Sequence, residues 1–172
     1  APKWEDAMLW ELRIYSDSNW AGDKDNRKLV TGFIIFLLGA PILWHSKAQA
    51  SVALSSTEAK LYALSEAANK IKFIVQVLIS MGIPVKLLVV VRVDNMGAIF
   101  MSENVLTSSR TKHTDTRNHF VREFVEEGFV KIIFVRAEDN TSDPFTKNTP
   151  GSIYDKHTAE FVAQKKSMLE GN

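Results

Sequence analysis

Four carboxylates, Asp17, Glu58, Asp94 and Asp143, stand at positions from which side chains can do chemistry. Asp17 closes a stretch of alternating apolar and polar residues, Asp94 follows a continuous apolar run, and Glu58 lies in the first turn of a long helical pattern. In a mixed sheet whose first and fourth strands are parallel neighbours, both Asp side chains meet at one edge, where open α/β sheets place their sites. A helix packed across that sheet can bring Glu58 to the same spot. Clustered carboxylates repel and raise one another's pKa values; divalent metal resolves the conflict. Hard oxygen ligands suit Mg2+ or Mn2+. Two such ions about 3.5–4 Å apart can flank a phosphodiester, one activating the attacking water and the other stabilising the leaving 3′ oxygen. Three of the four also have a plainer role available. Glu58 can complete a capping box with Ser55, Asp143 before Pro144 makes a good N-cap, and Asp94-Asn95 can be a strand-ending turn. Pattern alone leaves both readings open.

The elements that must position these acids follow from periodicity. Leu12 to Asp17, Leu29 to Leu38 and Ile42 to Lys47 read as three strands, with a turn at Gly39-Ala40-Pro41. Their short connections require antiparallel pairing, because parallel strands need long crossovers. Ser55 caps a helix that Gly82 and Pro84 stop near Met81. Leu87 to Val93, broken only by Arg92, has the apolar run of a buried central strand. Met96 to Ser102 and Asp115 to Glu127 read as helices and Val130 to Val135 as a fifth strand. A last helix is expected to begin near Asp143 and, past Thr149-Pro150-Gly151, to run to about Met168. The fold class is α/β: a five-stranded mixed sheet, three antiparallel strands then two parallel, flanked by helices.

The chain has 172 residues and is 45% hydrophobic and 24% charged, which suits one domain with a full core. It lacks cysteine, which excludes a disulfide framework and thiolate metal sites and fits a reducing intracellular setting. No apolar run approaches the roughly 20 residues of a membrane helix, so no membrane partner is expected. The N-terminus has no signal-peptide pattern, and Ala1-Pro2 suggests a cut or recombinant start, as expected of one piece of a larger polyprotein. A net charge of +1 announces no nucleic-acid partner. Its distribution says more: Arg110, Lys112, His113, Arg117, His119 and Arg122 share one segment with a single acid, Asp115, which on charge alone reads as a solvated helix face or a phosphate-binding stretch.

More specific motifs then enter. Tyr15-Ser16-Asp17-Ser18-Asn19-Trp20-Ala21-Gly22-Asp23 resembles the opening motif of the ribonuclease H domain of copia-type LTR retrotransposons. The resemblance continues through Thr31-Gly32-Phe33, Leu38-Gly39-Ala40-Pro41-Ile42, Trp44, Ser46-Lys47 and Val52-Ala53-Leu54-Ser55-Ser56-Thr57-Glu58-Ala59. Val93-Asp94-Asn95, Lys112-His113-Thr114-Asp115 and Ser142-Asp143-Pro144-Phe145-Thr146-Lys147 match later blocks in order, covering about residues 12–148. The resemblance implies a ribonuclease H-like fold with two Mg2+ or Mn2+ ions on Asp17, Glu58, Asp94 and Asp143. It implies cleavage of the RNA strand of RNA–DNA hybrids during reverse transcription, next to a reverse transcriptase domain of the same polyprotein, in a monomeric, intracellular domain.

Discriminating RNA from DNA requires contacts to the 2′-OH; Ser55, Ser56 and Asn95 adjoin catalytic acids and are the candidates. Arg110, Lys112 and Arg117 are expected to track phosphates. His113 is a candidate for helping product release, because the loop Arg136 to Asn140 lacks the histidine that cellular and retroviral ribonucleases H carry there. A second departure is Lys60, where family members commonly have an acid; it is expected on the exposed side of the helix. Trp20 and Trp44 are expected to pack rather than to stack on bases. A degenerate domain that binds nucleic acid without cutting is the alternative, and another nuclease of this fold, an integrase or exonuclease, is a third reading.

Overall fold

The computed structural model describes residues 9–19, 29–49, 55–103 and 112–162. Along the chain these form β1 (Leu12–Asn19), β2 (Val30–Leu37), β3 (Ala40–Ala48), α1 (Ser56–Ser80), β4 (Val89–Val93), α2 (Met96–Glu103), α3 (Lys112–Glu126), β5 (Val130–Phe134) and α4 (Gly151–Val162). Single 3-10 turns occupy Ala137–Asp139 and Asp143–Phe145. The sheet runs β3-β2-β1-β4-β5, with β1 antiparallel to β2, β2 antiparallel to β3, and β1, β4 and β5 parallel. This is the expected mixed sheet.

Burial explains the arrangement. Leu12 and Ile14 of β1, Phe33 and Ile35 of β2, and Val89, Val91 and Val93 of β4 alternate onto one face of the sheet. There they meet the buried stripe of α1, which includes Leu61, Leu64, Ile71 and Val75, and Val121 and Phe124 of α3. On the other face Tyr15, Ile34 and Phe36 pack with Phe145. Ser55 caps α1, its Oγ accepting from the Glu58 backbone N–H at 3.1 Å.

The structure departs from expectation in three places. The β2–β3 turn is Leu38-Gly39, both at positive φ (50° and 85°), as a two-residue hairpin of the right twist demands. Ala40-Pro41 already belongs to β3, where an edge strand tolerates the proline. The predicted last helix does not begin at Asp143, which opens only a 3-10 turn; α4 starts at Gly151, directly after Pro150. Trp44 is 62% exposed on the edge strand rather than packed in a core. It borders an apolar cleft of about 410 Å³ with Ile34, Pro41, Phe145 and Tyr154. Trp20 lies outside the described residues.

Candidate metal centre

Register brings the first two acids together. Tyr15 of β1 is level with Arg92 of the parallel β4, and two more residues along each strand align Asp17 with Asp94. Neighbouring strands lie about 4.8 Å apart, within bridging distance for a metal ion. Asp143 completes the group: one carboxylate oxygen from each of Asp17, Asp94 and Asp143 lies within 4.8 Å of the others.

Asp143 is carried by a loop that the fold pins down. Asn140, fully buried, donates from Nδ2 to the carbonyl of Ser16 at 3.1 Å. Its Oδ1 accepts from the Ser142 N–H at 3.2 Å and the Ser142 hydroxyl at 2.7 Å. The loop is thus anchored to the residue before Asp17. Past the 3-10 turn, the Thr146 hydroxyl donates to Asp17 Oδ2 at 2.5 Å, and Ser46 Oγ donates to the Phe145 carbonyl at 2.6 Å. Gly32, level with Asp17 on β2, makes this approach possible. A Cβ there would stand 2.5 Å from Thr146 Cγ2 and 3.0 Å from Phe145 Cβ.

Two ammonium groups enter the cluster. Lys60 Nζ lies 3.2 Å from Asp17 Oδ1 and hydrogen-bonds Asp94 Oδ1. Lys147 Nζ lies 2.8 Å from Asp143 Oδ2 and 4.0 Å from Asp17 Oδ2. Three carboxylates against two ammoniums leave a net negative site, and the titration follows. Burial pushes Asp143 up to about 6, with Asp17 and Asp94 adding to the rise and Lys147 opposing it. Burial also pushes on Asp17, but Lys60, the Thr146 hydroxyl and Lys147 outweigh it and hold Asp17 below the usual carboxylate range. Lys147 is raised: burial lowers it, and the three aspartates more than offset that.

Divalent metal fits this donor set. The ligands are hard carboxylate oxygens. Asp143 Oδ1 is buried without a hydrogen-bond partner among the described residues, and Asp17 Oδ1, equally buried, has the Lys60 ammonium 3.2 Å away; a buried oxygen left without a partner is one that gains from a cation.

Not every predicted site residue joins the group. Asp17, Asp94 and Asp143 do; Glu58 is not among the converging acids. The helix explains why. Positions 58 and 60 are about 200° apart around the helix axis, so the two side chains leave α1 on different sides. The structure turns Lys60 inward, with its side chain 17% exposed. The expectation that Lys60 sits on the exposed side is therefore wrong. Ser55 caps α1 and Ser56 is exposed. Asn95 caps α2, its Oδ1 accepting from Gly97 N–H at 2.7 Å and Ala98 N–H at 3.2 Å. The Arg117 guanidinium stacks 3.8 Å from the Tyr62 ring centroid. Arg110 and the side chains of Lys112 and His113 lie outside the described residues. Sequence reasoning missed Asn140, Thr146 and Lys147 as site-building residues. For Thr146 and Lys147 a signal existed in their place in the Ser142 to Lys147 block, and for Lys147 also in its i,i+4 spacing from Asp143; for Asn140 none did.

No family model matches the chain. It is 37% identical over 144 residues, 84% of its length, to the retrovirus-related Pol polyprotein from transposon TNT 1-94 of Nicotiana tabacum. It is 36% identical over 136 residues, 79% of its length, to that from transposon RE1 of Arabidopsis thaliana. The chain spans only 11% and 9% of those polyproteins. Among solved structures it resembles LC11-RNase H1 from compost (TM-score 0.60, 16% identity, 86% of this chain and 98% of that one). The N-terminal RNase H domain of a Mycobacterium tuberculosis protein also matches (TM-score 0.56, 12% identity, 91% and 98%), as does LC11-RNase H1 in complex with an RNA/DNA hybrid (TM-score 0.59, 16% identity, 78% and 93%). The chain thus has a ribonuclease H-like fold and is homologous to a segment of the retrovirus-related Pol polyproteins of plant transposons.

Proposed function

We propose that this domain is a metal-dependent ribonuclease H that hydrolyses the RNA strand of RNA–DNA hybrids during retrotransposon reverse transcription, beside the reverse transcriptase domain of its own polyprotein. The observation that carries the reading is the convergence of Asp17, Asp94 and Asp143 at one end of the parallel strands. These three residues would hold the Mg2+ or Mn2+. When bound, two such ions would supply Lewis-acid stabilisation of a phosphoryl centre and a water acidic enough to attack at neutral pH. The chain's own part is positional. Asn140 and Thr146 lock the Asp143 loop and the Asp17 carboxylate in place, and Lys147 keeps its positive charge between Asp143 and Asp17.

Water, not the 2′-OH, would be the nucleophile, so the products would carry 5′-phosphate and 3′-hydroxyl ends. Ser55, Ser56 and Asn95 sit at the mouths of α1 and α2, where they could read the 2′-OH. Arg110, Lys112 and Arg117 would track phosphates and His113 would assist product release. A fold neighbour has been crystallised with an RNA/DNA hybrid, which favours the substrate class.

A second reading is favoured by one observation. Lys60 in the acid cluster suits a domain that holds hybrid without cutting it. Incubating wild type and Asp94→Asn with labelled hybrid, DNA duplex and RNA duplex, in Mg2+ and in Mn2+, separates the two. Hybrid-only cutting that the substitution abolishes supports the nuclease. Hybrid binding without cutting in either metal sinks it in favour of the binding domain.

A further inference from the structure

Position 60 is occupied by a cation, and the geometry makes it a resident of the site. Lys60 follows the fully buried Ala59 and precedes the buried Leu61, so close packing fixes the face that α1 presents at this turn. From there the ammonium contacts Asp17 and Asp94, the two acids that the parallel register places side by side. Lys147 serves the third acid: its short contact is to Asp143, and Asp17 lies at the limit of its reach. The cluster is therefore divided between two tethered cations.

We propose that Lys60 is an internal counter-cation that occupies the place of one divalent ion between Asp17 and Asp94, so that metal enters this half of the site only by displacing it. The inference rests on the metal-site reading above. It follows that the metal-free domain is already neutralised where Asp17 and Asp94 meet and does not depend on divalent ions for its fold. Metal affinity is set by competition between a tethered monovalent charge and a free divalent one. The half of the site around Asp143 is unaffected by this competition except through the shared Asp17 carboxylate.

Calorimetric titration of Mn2+ into Lys60→Met, compared with wild type, tests this without recourse to activity. Lys70→Met, which removes the same charge from an exposed position of α1, controls for net charge, and Asp94→Asn identifies the site. The expected result is a dissociation constant at least about tenfold lower in Lys60→Met and within about twofold of wild type in Lys70→Met. Lys60→Arg, which keeps the charge, retains the weak wild-type affinity. Thermal unfolding gives a second readout. In chelator Lys60→Met melts below wild type, and saturating Mn2+ raises its melting temperature by more than it raises that of wild type. Should the Met variant fail to fold, Lys60→Gln makes the same comparison. Affinity within about twofold of wild type after loss of the Lys60 charge, with binding still sensitive to Asp94→Asn, overturns the role of Lys60 and leaves the metal site standing. No uptake in any variant overturns both.

Discussion

Asn140→Asp tests the anchoring of the Asp143 loop with almost no change in shape. The native amide is fully buried and uses both ends: Nδ2 donates to the Ser16 carbonyl, and Oδ1 accepts from Ser142 N–H and Oγ. The substitution keeps the acceptor and replaces the donor with an oxygen that faces a carbonyl. None of the groups that hydrogen-bond Asn140 is a cation, so an ionised carboxylate there relieves the conflict by taking up a proton, which restores a donor toward Ser16. Burial of this kind raises a carboxyl by about 2–3 units, and each unit is about 1.4 kcal/mol. The cost at neutral pH is therefore about 3–4 kcal/mol, a large share of a typical total stability of about 5–15 kcal/mol. Because the folded-state pKa is raised, the cost is absent below the unfolded value of about 3.9 and grows as pH rises through the folded one. Urea unfolding of variant and wild type in chelator, followed by far-UV circular dichroism from about pH 4 to 7, should show two curves that nearly coincide at the acid end and diverge toward neutrality. A difference under about 1 kcal/mol at pH 7, or one independent of pH, would refute the reasoning.

Three further outcomes follow from the same geometry. Gly32→Ala forces Thr146 and Phe145 away from β2; it should cost about 1–3 kcal/mol and weaken Mn2+ binding by loosening Thr146 from Asp17, both measurable by denaturation and calorimetry. Glu58→Gln should leave Mn2+ affinity within about twofold of wild type, because Glu58 is outside the converging acids, whereas Asp17→Asn should abolish uptake. His157 is 2% exposed, and burial, with Lys156 and Lys147 adding to it, depresses its pKa against the pull of Glu160 and Asp139. Its contribution is present above the ordinary imidazole pKa of 6.5 and is lost as pH falls through the depressed folded value. Melting temperatures of His157→Gln should therefore decline less on acidification than those of wild type. Asp143, raised to about 6, works in the opposite direction in both proteins and cancels in the comparison.

Much of the fold was legible because its signals are local. Rough alternation of apolar and polar residues marked β1, an apolar-rich stretch marked β2, an apolar run marked β4, and Ser55 with Gly82 bracketed α1 to within a residue or two. The short β1–β2–β3 connections dictated antiparallel pairing, as observed. The errors arose where two local signals competed. Asp143-Pro144 looks like a helix start, but Pro150 lies too close downstream for a helix to propagate, and the segment makes one 3-10 turn instead. Trp44 looks like core by its chemistry, yet its strand is the sheet edge and its face is turned outward.

By itself the sequence determined the order of the elements and the mixed sheet, because strand ends and caps are written in neighbouring residues, and it singled out four acids of which the structure brings three aspartates together. Which residue of α1 reaches those aspartates was decided only by tertiary packing. Glu58 and Lys60 are two positions apart on one turn, and no local pattern says which of two residues about 200° apart around an axis will face a sheet edge. The burial of Ala59, Ala63 and Ala67 along α1 settles that rotation, and with it places a lysine against Asp17 and Asp94.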